Sequence, residues 1–219
     1  MSKYDLVLYD LDGTLWDSIP LIMDCFYKAY EVVLGGTDRT RDDLMSYIGR
    51  PLGDTFAMHD DGTKERLISA YLEYNCSRLK ENAVPIFPGV YDFLSKIRSM
   101  GVKQGIVTSK RESSAMITID LLELGGYFDT MVFREATERA KPHGDPLIEA
   151  AKRMGITDMS RVLYVGDAVP DILSAEDAGA DFALVGWTKM PKDELEQLGP
   201  DYIIDIPELL PCIIKGSEL

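Results

Sequence analysis

Short apolar runs rich in β-branched and aromatic residues recur along the chain at 4–9, 103–107, 130–133, 161–165, 181–185 and 202–205. Longer stretches with helical spacing, at about 89–100, 112–124, 145–155, 170–179 and 207–214, connect or follow them. That alternation is the pattern of a parallel sheet whose strands are joined by crossover helices, so the expected class is α/β. Gly101, Gly125-Gly126, Gly155 and Gly179 fall just beyond helical stretches, where a left-handed residue can close a helix.

One interval breaks the alternation. The span between the first two strand candidates is far longer than a usual crossover. Within it, residues 17–34 carry Leu21, Ile22, Cys25, Phe26, Ala29 and Val33 at helical spacing, and residues 63–80 carry Leu67, Ala70, Tyr71 and Tyr74. Thr40 to Ile48 reads as a shorter helix. The expected organisation is a core of 1–15 and 85–219 interrupted by a helical cap, 16–84, with hinges near Leu15-Asp17 and Val84-Pro85-Ile86-Phe87-Pro88. The aromatic residues Phe26, Tyr27, Tyr30, Tyr71 and Tyr74 are expected to pack that cap, and Trp16 to pack its first hinge.

With 219 residues, 46% of them hydrophobic, the chain can bury one substantial core plus a smaller one. Its net charge of −14 repels nucleic acid and anionic membranes, and no basic patch overrides it. Cys25, Cys76 and Cys212 are scattered and odd in number, which argues against a disulfide framework or a zinc knuckle and for a reducing compartment. No apolar run of about eighteen residues marks a membrane span, and Met1-Ser2-Lys3-Tyr4-Asp5 does not open a signal peptide. The expected setting is cytoplasmic, as a monomer or homodimer, with no nucleic-acid or membrane partner.

The chemistry is concentrated at strand ends, where open α/β sheets place their sites. Asp10-Leu11-Asp12-Gly13-Thr14 follows the apolar run Leu6-Val7-Leu8-Tyr9 and delivers two carboxylates two positions apart. One can attack an electrophile while the other moves a proton. Gly13 lets the backbone turn tightly behind them. A strand-to-turn signal or a calcium-loop fragment is the minority reading, because the further ligands and the terminal Glu of an EF-hand are missing. Gly166-Asp167-Ala168-Val169-Pro170-Asp171, after Val162-Leu163-Tyr164-Val165, offers hard oxygen ligands that suit Mg²⁺. Thr108, at the end of 103–107, can donate to a phosphoryl oxygen. Lys141, in Ala140-Lys141-Pro142-His143-Gly144, can offset charge in a site dense in carboxylates. Together these point to metal-dependent phosphoryl transfer.

Taken in order, these four motifs resemble those of the haloacid dehalogenase-like superfamily, specifically its phosphoglycolate phosphatase-like branch with a helical cap after the first motif. The resemblance covers essentially the whole chain. It implies a doubly wound, Rossmann-like parallel sheet and hydrolysis of a small phosphorylated metabolite through an aspartyl-phosphate. By that resemblance Asp10 is the nucleophile and Asp12 the acid and then base, with a pKa raised toward the working pH. Thr108 and Lys141 would bind and neutralise the phosphoryl group, with Ser109, where many relatives carry Asn, facing the substrate. Asp10, Asp167 and Asp171, with the backbone carbonyl of Asp12, would hold Mg²⁺. His143 stands where relatives often show Pro and is read as a loop variant.

Ile48-Gly49-Arg50-Pro51-Leu52-Gly53 resembles the branch's substrate-specificity loop, and Arg50 is expected to pair with a carboxylate or second phosphate on the substrate. Within this reading 2-phosphoglycolate is the expected substrate. Pyrophosphate, a nucleoside monophosphate, a sugar phosphate, or a phosphomutase of the β-phosphoglucomutase kind are alternatives. A phosphoacceptor signalling domain is a different class that shares the acids, the hydroxyl and the lysine but is far shorter and lacks the helical insertion.

Overall fold

The computed structural model describes residues 2–81 and 84–216. Its centre is a six-stranded parallel sheet of β1 (Leu6–Tyr9), β2 (Lys103–Val107), β3 (Thr130–Val132), β4 (Val162–Gly166), β5 (Asp181–Val185) and β6 (Tyr202–Ile204), in the order β3-β2-β1-β4-β5-β6. The chain leaves β1 toward β2 on one side and later returns to β4 on the other. The carboxyl end of β1 is therefore the switch point of a doubly wound sheet, where a crevice opens. Register brings the strand ends level, since Tyr9 is paired with both Ile106 and Val165. Whatever follows β1, β2 and β4 must converge.

Both faces of the sheet are covered, which is why its strands read as apolar runs rather than as clean alternations. The pleat sends Val7 and Tyr9 to one core and Leu6 and Leu8 to the other. On the first face lie α5 (Val90–Ser99), α6 (Glu112–Leu121) and α10 (Leu210–Ile214), through residues such as Phe93, Ile97, Ile119 and Ile213. On the second lie α7 (Asp145–Arg153) and α8 (Val169–Ala178), through Leu147, Ala151, Ile172 and Ala175.

Between β1 and β2 the chain forms α1 (Ile19–Leu34), α2 (Arg41–Met45), α3 (Leu52–Thr55) and α4 (Asp61–Glu81). These build a core of their own around Phe26, whose ring meets Tyr47, Phe56 and Tyr71 at centroid distances of 6.2, 6.0 and 5.2 Å. Tyr27, expected in that packing, is exposed instead, because it falls on the outer face of α1. The segments leading in and out run side by side: Asp17 N–H donates to Pro85 O at 2.8 Å and Phe87 N–H to Leu15 O at 3.0 Å. Residues 82 and 83 of the expected cap lie outside the described residues.

Two helices were not anticipated, α3 and α9 (Lys192–Glu196). Four and five residues are too few to show a helical period. Gly101, Gly155 and Gly179 do take positive φ, but Gly125 and Gly126 open a 3₁₀ turn, and Glu123 takes the left-handed place after α6 with φ 51°. Leu124 explains the shift: its burial in the core, with its N–H on Ile119 O, puts the reversal before it, at Glu123. Among the described residues no helix is long and apolar enough to cross a membrane.

Candidate active site

At the end of β1, Asp10 N–H continues the ladder to Val165 O at 2.9 Å, and the chain then folds back sharply. Leu11 O accepts N–H groups from Thr14 and Leu15, and Gly13 N–H donates to Trp16 O. Gly13 has φ +86°, and a Cβ there would lie 2.2 Å from Asp167 Oδ2. Only glycine lets the loop after β1 and the loop after β4 close this far.

That approach brings Asp10, Asp167 and Asp171 together, with one carboxylate oxygen from each within 4.8 Å of the others. Lys141 is buried among them, its Nζ 3.0 Å from Asp10 Oδ1 and 2.6 Å from Asp171 Oδ1. Tyr164 on β4 lies under the pair: its hydroxyl accepts from Lys141 Nζ at 2.9 Å and stands 2.9 Å from both Asp171 Oδ1 and Val107 O. The other oxygen of Asp171 accepts the backbone N–H groups of Asp167 and Ala168. Asp171 is therefore fully engaged, as an anchor for Lys141 and a cap for α8.

Asp10 and Asp167 are less well satisfied. Asp10 Oδ1 meets Lys141 only as an ion pair without hydrogen-bond alignment, and Asp167 Oδ1 has no partner among the described residues. Burial pushes Asp10 up to about 6, against the pull of Lys141 and with the help of Asp171 and Asp12. Burial first, then Asp171 and Asp10, hold Asp167 well above the ordinary carboxyl range. Lys141 is held above an ordinary lysine, because Asp10 and Asp171 outweigh the effect of its burial. One ammonium cannot neutralise three buried carboxylates, and Asp167 Oδ1 has no partner among the described residues. The donor set of Asp10, Asp167 and Asp171 fits a hard divalent cation such as Mg²⁺.

Asp12 is turned away from this cluster. Its Oδ1 accepts from Trp16 Nε1 at 2.8 Å and Ser18 Oγ at 2.6 Å, and Lys110 Nζ lies 3.1 Å from Oδ2. Burial alone would raise its carboxyl, but Lys110, Ser18 and Trp16 outweigh it and hold the group below the usual range. The raised pKa expected from the sequence is not found in this arrangement. Spacing along the chain gave no sign that a lysine from the next strand end would face it.

Thr108 N–H is tied to Val132 O, and its Oγ1 accepts Lys110 N–H at 3.2 Å. The Ser109 hydroxyl donates to Gly49 O at 2.9 Å, joining the core to the loop between α2 and α3. Asp10, Asp12, Thr108, Ser109 and Arg50 all line one cavity of about 340 Å³. Lys110, Arg111 and Arg134, which the sequence did not single out, line it as well. Lys141 does not reach this wall, being buried beneath Asp10. His143 is exposed in a turn, where only its backbone is engaged, accepting from Ser174 Oγ.

The profile of the haloacid dehalogenase-like hydrolase family matches residues 7–185. A protein of Bacillus cereus named pyrophosphatase PpaX is 33% identical over 212 residues, which span 96% of this chain and 97% of that one. A haloacid dehalogenase-like family hydrolase from Streptococcus pneumoniae superposes with a TM-score of 0.83 at 24% identity, covering 96% of this chain and 98% of that one. A predicted phosphoglycolate phosphatase from Haemophilus somnus superposes with a TM-score of 0.84 at 21% identity, covering 97% and 99%.

Proposed function

This chain belongs to the haloacid dehalogenase-like hydrolases, and on that premise we propose a Mg²⁺-dependent phosphohydrolase that cleaves a small substrate with two anionic ends, inorganic pyrophosphate first among them. The observation that carries the reading is a contrast across one cavity. Asp10, which belongs with Asp167 to the acidic cluster, stands in the cavity wall; the same wall carries Arg50, Lys110, Arg111 and Arg134, interspersed with Asp54 and Glu135. Guanidinium groups suit a second phosphate or a carboxylate, and a cavity of about 340 Å³ accommodates a small substrate. The PpaX name of the Bacillus cereus relative supports pyrophosphate over 2-phosphoglycolate, which also has two anionic ends and becomes the comparison substrate.

In this reading an oxygen of Asp10 attacks phosphorus, the bond from phosphorus to the leaving oxygen breaks, and Asp12 supplies the proton that the leaving oxygen needs. Water then attacks the aspartyl-phosphate at phosphorus, Asp12 takes its proton, and Asp10 is regenerated. Thr108 donates its hydroxyl to a phosphoryl oxygen, and Lys141 steadies the charge on Asp10 from below. Bound Mg²⁺, held by Asp10 and Asp167, would offset the repulsion between the phosphate and the carboxylates. The helices of 16–84 act as a cap, with the loop around Gly49 and Arg50 closing on the core to exclude water.

Phosphate release with and without Mg²⁺, from pyrophosphate, 2-phosphoglycolate and p-nitrophenyl phosphate, tests the proposal. We expect metal-dependent turnover with the highest kcat/KM on pyrophosphate, and Arg50→Ala raising KM for pyrophosphate while sparing p-nitrophenyl phosphate. Higher kcat/KM on 2-phosphoglycolate would reassign the substrate. No turnover of any of the three would overturn the phosphohydrolase reading.

A further inference from the structure

The loop after β5, residues 186–190, meets the site at two points. Trp187 Nε1 donates to Thr14 O at 3.0 Å, on the turn that carries Asp10 and Asp12, while its ring packs on Phe87 at 6.1 Å. Thr188 Oγ1 lies 3.2 Å from Asp167 Oδ2 and 3.0 Å from Asp167 O, and accepts Met190 N–H at 3.0 Å. The Met190 amide takes a lone pair, so the one hydroxyl hydrogen is left to Asp167, shared between its carbonyl at 3.0 Å and its Oδ2 at 3.2 Å. Oδ2 is also the oxygen that a Cβ at position 13 would meet at 2.2 Å. With Oδ2 beside the Thr188 hydroxyl, Oδ1, which has no partner among the described residues, is the oxygen left for a cation.

We infer that Thr188 is a positioning residue for the divalent-ion site: it biases the rotation of the Asp167 carboxylate so that Oδ1 is left for the cation, while Trp187 braces the opposing turn. The inference rests on the reading of Asp10 and Asp167 as cation ligands. Groups that hydrogen-bond a metal-ligating carboxylate typically change metal affinity by about 10–100-fold when removed.

The test is Mn²⁺ binding to the full chain, read as free Mn²⁺ by electron paramagnetic resonance, which needs no turnover. Thr188→Val keeps the side-chain shape and removes the hydroxyl; it should weaken Mn²⁺ binding about tenfold or more. Thr188→Ser should return to within about threefold of the unmodified protein, because the hydroxyl rather than the methyl is the active part. Trp187→Phe, which keeps an aromatic ring against Phe87, offers an independent arm and should weaken binding severalfold. Equal Mn²⁺ affinity in Thr188→Val and the unmodified protein overturns the inference, as does weakening that Ser does not rescue. An unmodified protein that binds no Mn²⁺ would instead remove the cation site itself.

Discussion

Lys110 Nζ lies 3.1 Å from Asp12 Oδ2 and 3.2 Å from Asp12 Oδ1, a two-oxygen ion pair formed across the sheet between residues 98 apart. Together with Ser18 and Trp16 it keeps the Asp12 carboxyl low. For a group that must protonate a leaving oxygen, that setting limits the rate at high pH. Lys110→Met should therefore move the alkaline limb of kcat/KM to higher pH for an alkyl phosphate. Little shift should appear for p-nitrophenyl phosphate, whose leaving group needs no proton. Superimposable pH profiles would show that Lys110 does not govern Asp12.

Lys141 is the cation shared by Asp10 and Asp171, and all three are buried. Lys141→Met leaves the carboxylates without that charge, and breaking a buried pair from one side costs about 3–5 kcal/mol. Urea unfolding at neutral pH should show a loss of that size. Tyr164→Phe, which removes one hydrogen-bond partner of the same ammonium, should lose less, about 1.5–3 kcal/mol. Equal, small losses in both would mean that the buried charges are not coupled.

The carboxyl of Asp10 rises from an ordinary 3.8 to about 6 on folding, with burial the main cause. The folded protein then binds more protons than the unfolded chain between those values, so this group removes stability as pH rises from 3.8 through about 6. Above that window the penalty is complete; below it, the penalty is absent. In metal-free protein, Asp10→Asn should accordingly raise the melting temperature at pH 7.5 and leave it unchanged at pH 3.5. Added Mg²⁺ should raise the melting temperature of the unmodified protein at pH 7.5 more than that of the variant. A variant less stable than the parent at pH 7.5 would contradict this account of the site.

Ser109 Oγ donates to Gly49 O over a separation of 60 residues, one of the links between the helical insertion and the core beside the cavity. One neutral hydrogen bond contributes about 1 kcal/mol, so Ser109→Ala should weaken closure about fivefold. The expected result is KM raised by about that factor with kcat within about twofold. A fall in kcat at constant KM would place Ser109 on the reacting phosphate instead.

The six strands and the order of the acidic motifs were legible because each depends on a few consecutive residues: an apolar run long enough to cross a sheet, followed by carboxylates at its end. Asp10 and Asp167 could be placed together from that logic alone, since strand ends in a parallel sheet lie on one edge. The pairings Lys110 to Asp12, Ser109 to Gly49 and Thr188 to Asp167 were not legible. Each depends on the direction in which a loop turns after its strand, and no periodicity encodes that. Tyr164 was visible only as one more apolar position of β4, because a tyrosine with its hydroxyl inside a charge cluster looks in sequence like any buried ring. Tyr27 and Glu123 show the converse, where local pattern suggested a core residue and a glycine reversal and packing decided otherwise.

The central claim is that an oxygen of Asp10 takes the phosphoryl group. Acid quenching during turnover of pyrophosphate with Mg²⁺, followed by borohydride reduction, converts an aspartyl-phosphate to homoserine, and peptide mass spectrometry locates it. The account predicts homoserine at position 10 and none in substrate-free protein. Turnover with aspartate intact at position 10 at every quench time, or homoserine at Asp12, Asp167 or Asp171 instead, would contradict it.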